Sequence, residues 1–188
     1  MTEAPPVPGA FRRMSLALFV PRRRALLRFW GLALLGSAAL AASAQIVLPA
    51  WPVPATLQSL AVLLLGATGG ARLGAASVGL YLLEGALGLP VFAGGAAGPA
   101  VLAGPTAGYL LGFLPAAWLA GRATAGPVWR QGLVLMAAHL LLFAPGVAWL
   151  AAGFVGWERA VAAGFLVFLP ATLVKTALAL AVLRAVRR

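Results

Sequence analysis

Long apolar runs follow one another along most of the chain, separated by short segments that contain arginine, proline or glycine. Most of these runs are close to the ~20 residues that a helix needs to cross a bilayer. The pattern predicts six helices, near residues 29–48, 57–70, 72–88, 105–122, 129–151 and 159–186. We therefore expect an all-α, polytopic membrane protein with six transmembrane helices.

Composition and charge support this class and add an orientation. Apolar residues make up 63% of the 188 residues and charged residues only 9%, which is far from the usage of soluble domains. Six arginines precede the first apolar run, and in a six-span topology the later clusters at Arg72, at Arg122 and Arg130, and at the C-terminal end fall on the same side. The positive-inside rule then predicts cytoplasmic N- and C-termini.

The same distribution explains the net charge of +11 without nucleic acid, for which we expect no binding. We divide the chain into a basic cytoplasmic arm, residues 1–28, and a membrane domain, residues 29–188. The sequence contains no Cys, Asp or Asn, and no phosphate-binding GxxxxGK[ST] loop. We therefore expect no cofactor, no metal site and no catalytic residue, although an intramembrane enzyme and a structural membrane protein remain alternatives.

Two charged residues, Glu84 and Lys175, lie inside apolar runs, where a charge is costly and usually marks a functional site. Counted from the nearest arginines, they lie roughly 18 Å and 14 Å above the cytoplasmic boundary at 1.5 Å per residue. Each belongs to a polar stripe on one helix face; the stripes are Ser77, Tyr81, Glu84 and Gly88, and Thr172, Lys175 and Thr176. We expect the two stripes to face each other, as an ion pair or around a polar ligand.

Other positions suggest packing or helix breaks. His139 is expected to be a hydrogen-bonded packing residue rather than a ligand or a proton relay. Pro145 and Pro170 should break or kink the last two helices. Small residues predict internal helix contact for Gly104, Gly108 and Gly112, and an external partner surface on the first helix for Ser37, Ala38, Ala41 and Ala42.

Two segments carry a family resemblance. Residues 45–65, QIVLPAWPVPATLQSLAVLLL, and residues 80–112, LYLLEGALGLPVFAGGAAGPAVLAGPTAGYLLG, resemble hallmark segments of the BioY family, the biotin-binding S components of energy-coupling-factor transporters. The similarity extends over nearly the whole chain after residue 30. It implies a six-helix S component in a bacterial or archaeal cytoplasmic membrane. Such a subunit captures biotin from outside and docks on a membrane scaffold protein and two ATPases. An S component for another vitamin is the alternative.

The chain departs from the family pattern at one position. Family members resemble FLPGD with a lysine three residues after the acid, and both groups are regarded as ligand-site residues. Here the segment reads FLPATLVK, so Lys175 is retained and Thr172 stands in place of the acid. A hydroxyl can still accept a hydrogen bond but brings no charge, which should weaken that contact by about 1 kcal/mol or more.

The resemblance implies a set of biotin-binding residues. We expect Glu84 and Thr172 to accept hydrogen bonds from the ureido ring, and Lys175 to neutralise the carboxylate or to pair with Glu84. We expect aromatic walls from Tyr81, Phe92 and Tyr109. Additional hydrogen bonds are expected from Gln45, Thr56 and Gln58. The family's scaffold-facing surface, carried by small residues of the first helix, maps onto Ser37, Ala38, Ala41 and Ala42.

Overall fold

A computed structural model describes residues 9–48, 52–123 and 126–187, with side chains described from Arg23 onward except at Leu48. The helices are α1 (Gly9–Ala44), α2 (Gln58–Gly69), α3 (Ala71–Ala86), α4 (Ala107–Ala120), α5 (Val128–Leu150), α6 (Trp157–Gly164) and α7 (Leu169–Val186). A short antiparallel pair, β1 (Val47–Leu48) and β2 (Ala55–Thr56), connects α1 to α2. The predicted all-α class is confirmed, and the described backbone matches the expected elements closely between α2 and α5.

Three helical stretches of the described chain are long and apolar enough to cross a membrane, namely Arg23–Ala44, Val128–Val155 and Trp157–Val186. The helices α2, α3 and α4 are shorter, with 12, 16 and 14 residues. Large apolar side chains are exposed along the bundle; Leu35 and Val174, for example, are each 68% exposed. An apolar outer surface of this extent is stable in lipid but not in water, so the chain forms a multi-pass membrane protein.

The last predicted helix is interrupted. A 3₁₀ turn, Leu166–Phe168, separates α6 from α7, and the break begins at Phe165, where φ is −133° and ψ is −61°. Pro170 follows in the first turn of α7, where its missing N–H removes no helical hydrogen bond. The predicted break near Pro170 is confirmed, whereas α5 continues through Pro145 and ends in a π turn, Ala151–Val155.

The N-terminal boundary also differs from the expectation, because α1 begins at Gly9 and not near residue 29. Part of the segment assigned to a basic arm is therefore helical.

The two ends of the bundle carry different residues. Arg72, Arg122, Arg130 and Arg184 lie at the end where α2, α4 and α7 finish and α3 and α5 begin. The Arg187 guanidinium donates to the Ala67 carbonyl oxygen at 3.1 Å, which ties the C-terminal segment to the last turn of α2. The opposite end carries the β pair and the 89–106 loop.

Glycines allow α4 and α5 to pack closely. A Cβ on Gly112 would lie 2.6 Å from the Leu142 carbonyl oxygen, and a Cβ on Gly108 would lie 2.6 Å from Trp149 Cβ. Such separations are too short for any side chain, so the two backbones approach through these glycines. The predicted internal contact is confirmed for Gly108 and Gly112. Gly104, however, ends a 3₁₀ turn in the preceding loop.

Candidate functional site

A cavity of about 180 Å³ lies between the helices near the end of the bundle opposite the arginines. Its walls come from the β2 region, the first turn of α2, the first two turns of α7, the 92–106 loop, and the facing sides of α4 and α5. The lining is mostly apolar and aromatic with a few polar groups, which is the usual form of a small-molecule site. Six of the nine residues predicted for ligand binding line it, namely Thr56, Gln58, Phe92, Tyr109, Thr172 and Lys175.

Lys175 brings a positive charge to this cavity. Its Nζ donates to the Thr56 carbonyl oxygen at 2.6 Å and to Ser59 Oγ at 3.1 Å. An ammonium carries three N–H donors, so one donor is left for a molecule in the cavity. Among the residues that line the cavity none is Asp or Glu, and Lys175 therefore has no carboxylate partner there.

The first turn of α2 is held by a chain of polar contacts. Gln58 Nε2 donates to the Tyr81 hydroxyl oxygen at 2.6 Å, and Gln58 Oε1 accepts from Thr56 Oγ1 at 3.1 Å. Tyr81 is fully buried and does not line the cavity. It positions Gln58 from behind, because a buried hydroxyl must find a partner and the amide supplies it.

Aromatic rings form the walls. Phe92 packs edge-on against Tyr81, with ring centroids 5.4 Å apart, and its ring lies over the backbone of Gly85, where any side chain would overlap it. Tyr109 donates its hydroxyl to the Gly164 carbonyl oxygen at 2.9 Å and meets Phe143 edge-on. These contacts fix the positions of the rings, and the remaining ring surface forms apolar walls of the cavity.

The two remaining polar groups on α5 and α7, His139 and Thr172, are each held by a hydrogen bond. Thr172 donates to the carbonyl oxygen of Phe168 at 2.9 Å, which leaves its oxygen lone pairs available as acceptors. His139 is buried, borders the cavity and contacts Thr176 Oγ1 through Nδ1. The prediction of a hydrogen-bonded histidine is confirmed, but His139 also belongs to the cavity wall.

Glu84 is not part of this site. Its carboxylate accepts a hydrogen bond from Ser37 on α1, whereas Lys175 contacts α2. The helix α3 packs mainly against α1, α2 and α4, and α7 packs mainly against α2 and α5. The prediction that the two polar stripes face each other is therefore wrong, because matching depth does not make two helices neighbours.

Gln45 also lies outside the cavity lining. Its amide donates to the carbonyl oxygens of Ala41 and Phe92, both at 3.2 Å. It thereby connects the end of α1 to the loop that carries Phe92, which supports a wall of the cavity rather than its interior.

The small residues expected to form one external surface on α1 are divided between two faces. Ser37 is buried against α3, and Ala41 packs against the core. Ala38 and Ala42 are exposed and lie one turn apart on the outer face. The correction follows from helical periodicity, since residues one position apart are rotated by about 100° and cannot share a narrow face.

Several residues that line the cavity were not among those predicted from the sequence. Ser59 follows Gln58 directly in the first turn of α2, and Phe113, Phe143 and Phe168 add aromatic surface. Phe143 is one helical turn after His139, so a search for residues at i and i+4 of the lone histidine would have found it. The other aromatic residues carry no comparable local signal. Within the described ranges, no group of three or more His, Asp or Glu side chains could hold a metal ion.

Fold and cavity together define a multi-pass membrane protein with a small-molecule site enclosed by its helices. The family model described as the BioY family matches residues 15–188. The chain is 41% identical over 136 residues to a probable biotin transporter BioY of Pyrococcus horikoshii, covering 72% of this chain and 82% of that protein. It belongs to the BioY family.

Further relatives agree with this assignment. A biotin transporter BioY of Rhizobium etli is 38% identical over 148 residues, with 72% of this chain and 78% of that protein covered. The crystal structure of the S-component for biotin from an ECF-type ABC transporter shares the fold with a TM-score of 0.79. That match covers 87% of this chain and 93% of the other at 23% sequence identity.

Proposed function

We propose that this protein binds biotin in the cavity and is the substrate-capture subunit of an energy-coupling-factor transporter. The observation that carries the proposal is the Lys175 ammonium in a mostly apolar cavity whose lining holds no carboxylate. A small ligand with an apolar body and an anionic end complements this arrangement. The names of the relatives in the family support the choice of biotin.

The groups of biotin match the residues of the cavity. Its valerate carboxylate pairs with Lys175, which has one donor available. One ureido N–H group donates to Thr172 Oγ1, whose own proton is donated to the Phe168 carbonyl oxygen. The bicyclic ring packs against Phe92 and Tyr109. Thr56 and Gln58 add polar contacts at the N-terminus of α2. Tyr81 contributes by holding Gln58, and Gln45 contributes by holding the loop that carries Phe92.

As an S component, the protein operates in the cytoplasmic membrane of a bacterium or archaeon with a scaffold protein and two ATPases. Both termini are cytoplasmic in this proposal, so the cavity is near the outer face. Ala38 and Ala42 on the exposed side of α1 allow a partner helix to approach closely, as small residues do in membranes. ATP hydrolysis is assigned to the partners because the chain has no phosphate-binding loop.

Biotin should raise the melting temperature of the detergent-purified protein, because a ligand that binds only the folded state stabilises it. At a biotin concentration about 100 times the dissociation constant, the stabilisation is about 2.7 kcal/mol. The measurement is a thermal shift with biotin, thiamine and riboflavin, followed by competition against labelled biotin. The other vitamins are included because Thr172 replaces the family acid. Stabilisation by thiamine or riboflavin, with none by biotin, would favour an S component for another vitamin.

Glu84→Gln should leave the affinity for biotin within about threefold of the wild type, because Glu84 lies on the α1 side of α3 and not in the cavity. The amide can still accept from Ser37, so the helix contact is retained. Equilibrium binding of labelled biotin measures the effect. A tenfold or larger loss in a variant that elutes and melts like the wild type would return Glu84 to the ligand site.

A further inference from the structure

We infer that His139 is a specificity-determining residue whose Nε2–H donates to the carboxylate end of the ligand beside Lys175. The inference rests on the proposed function and adds a second donor at the anionic end of the cavity. It concerns a buried polar side chain that neither the sequence motifs nor the family resemblance singled out for binding.

The imidazole ring has a fixed position. His139 is 1% exposed, and its Nδ1 is 2.9 Å from Thr176 Oγ1 on α7. The ring is nearly parallel to that of Phe143, with an interplanar angle of 12° and centroids 6.2 Å apart. Contacts on both the polar edge and one face hold the ring in one orientation, which favours precise hydrogen bonding.

The hydrogen-bond network assigns the tautomer. Within the described part of the chain, the Thr176 hydroxyl makes no hydrogen bond other than the one with His139 Nδ1. It therefore donates its proton to Nδ1, since no other acceptor is within reach. In neutral imidazole the second nitrogen then carries the hydrogen, so Nε2 is a donor.

Nε2 is directed to the cavity by elimination. Within the described residues, no hydrogen-bond partner is found for Nε2, yet every side-chain nitrogen or oxygen that is sealed from solvent has one. Nε2 must therefore retain accessible surface. His139 borders the cavity described above, which is where that surface faces.

The neighbourhood of Lys175 identifies the ligand group. His139 on α5 and Lys175 on α7 both line the cavity, and α5 packs against α7, so the two donors come from neighbouring helices of the same cavity wall. Two donors without an acidic lining residue require an acceptor from the ligand. A carboxylate has two oxygens and can accept from both donors at once, whereas the ureido carbonyl offers one neutral oxygen.

Three substitutions separate the binding role of His139 from its packing role. His139→Phe keeps an aromatic ring against Phe143 but has no donor. His139→Asn places an amide near the Nδ1 position, within reach of Thr176, but nothing at Nε2. His139→Gln places an amide nitrogen near the Nε2 position. Affinities for biotin and for biotin amide, in which a neutral carboxamide replaces the carboxylate, are measured for full-length, detergent-purified proteins of matched elution and melting behaviour.

We expect His139→Phe and His139→Asn to weaken biotin binding tenfold or more, as loss of a hydrogen bond to a charged group does, and His139→Gln to remain within about threefold of the wild type. The loss should be at least threefold smaller with biotin amide. Equal losses for both ligands would overturn the carboxylate assignment. Normal binding by His139→Asn with weak binding by His139→Gln would show that only the Thr176 contact matters, and would overturn the inference.

The wild type separates the two proposals. If the wild-type protein binds biotin and all three variants bind it equally well, the role of His139 is refuted and the proposed function stands. If the wild-type protein binds neither biotin nor biotin amide, the proposed function fails and the inference fails with it.

Discussion

Replacing Lys175 by alanine is expected to lower the affinity for biotin by roughly a hundredfold or more, since truncating one member of a buried charge pair costs several kcal/mol. Lys175 is the cation among the residues that line the cavity, and no second Lys or Arg lines it to balance the charge of a bound carboxylate. Equilibrium binding of labelled biotin to the purified protein measures the loss. The affinity for biotin amide should change much less, because the carboxamide carries no charge.

A matched control is needed because Lys175 also connects α7 to α2 through the Thr56 carbonyl oxygen and Ser59 Oγ. Ser59→Ala removes one of these contacts but keeps the ammonium, and its affinity should stay within about threefold. Lys175→Gln keeps a hydrogen-bond donor without the charge and should resemble alanine. If Lys175→Gln bound biotin like the wild type, the charge would have no role in binding.

Gly108→Ala is expected to cause a large loss of stability, because it adds a methyl group where α4 and α5 pack most closely. The new Cβ would lie 2.6 Å from Trp149 Cβ and 3.0 Å from Gly146 Cα, and it would also overlap the Pro145 carbonyl oxygen. Backbone atoms cannot move away as a flexible side chain can, so α4 and α5 must separate. Overpacking of this kind costs about 1–3 kcal/mol, and the melting temperature should fall by roughly 5 °C or more.

Gly79→Ala is the matched control, because a Cβ at this position on α3 would be 4.0 Å from the nearest neighbour, the Leu114 side chain. Alanine is the better helix former by about 1 kcal/mol, so this variant should melt at or above the wild-type temperature. Thermal unfolding in the same detergent compares the two. Equal melting temperatures for the two variants would mean that α4 and α5 do not pack through Gly108.

The candidate site shows where prediction from the sequence works and where it stops. Lys175, Thr172, Thr56 and Gln58 were expected at a ligand site and do line the cavity. They belong to short segments whose local backbone, a proline-flanked turn or the first two turns of a helix, already sets their position. Glu84 was expected beside them because its depth in the membrane matches that of Lys175. Depth, however, is one coordinate of three.

His139 shows the opposite case. The sequence gives a lone histidine in the middle of an apolar helix, and such a residue is more often a packing element than a ligand. Only the tertiary structure brings Thr176 to one ring nitrogen and the cavity to the other. No local pattern on α5 contains this information, because the partner comes from a helix about 37 residues later.

By itself, the sequence determined the membrane class, the approximate bounds of most helices, the concentration of arginine at one end and the presence of an intramembrane cation. These properties depend on hydropathy and charge along a single segment. The tertiary structure alone decided which helices are neighbours, and therefore that Glu84 turns toward Ser37 while Lys175 borders the cavity. The physical reason is that helical periodicity defines a face and a depth, but the residue that meets that face is chosen by the packing of other helices.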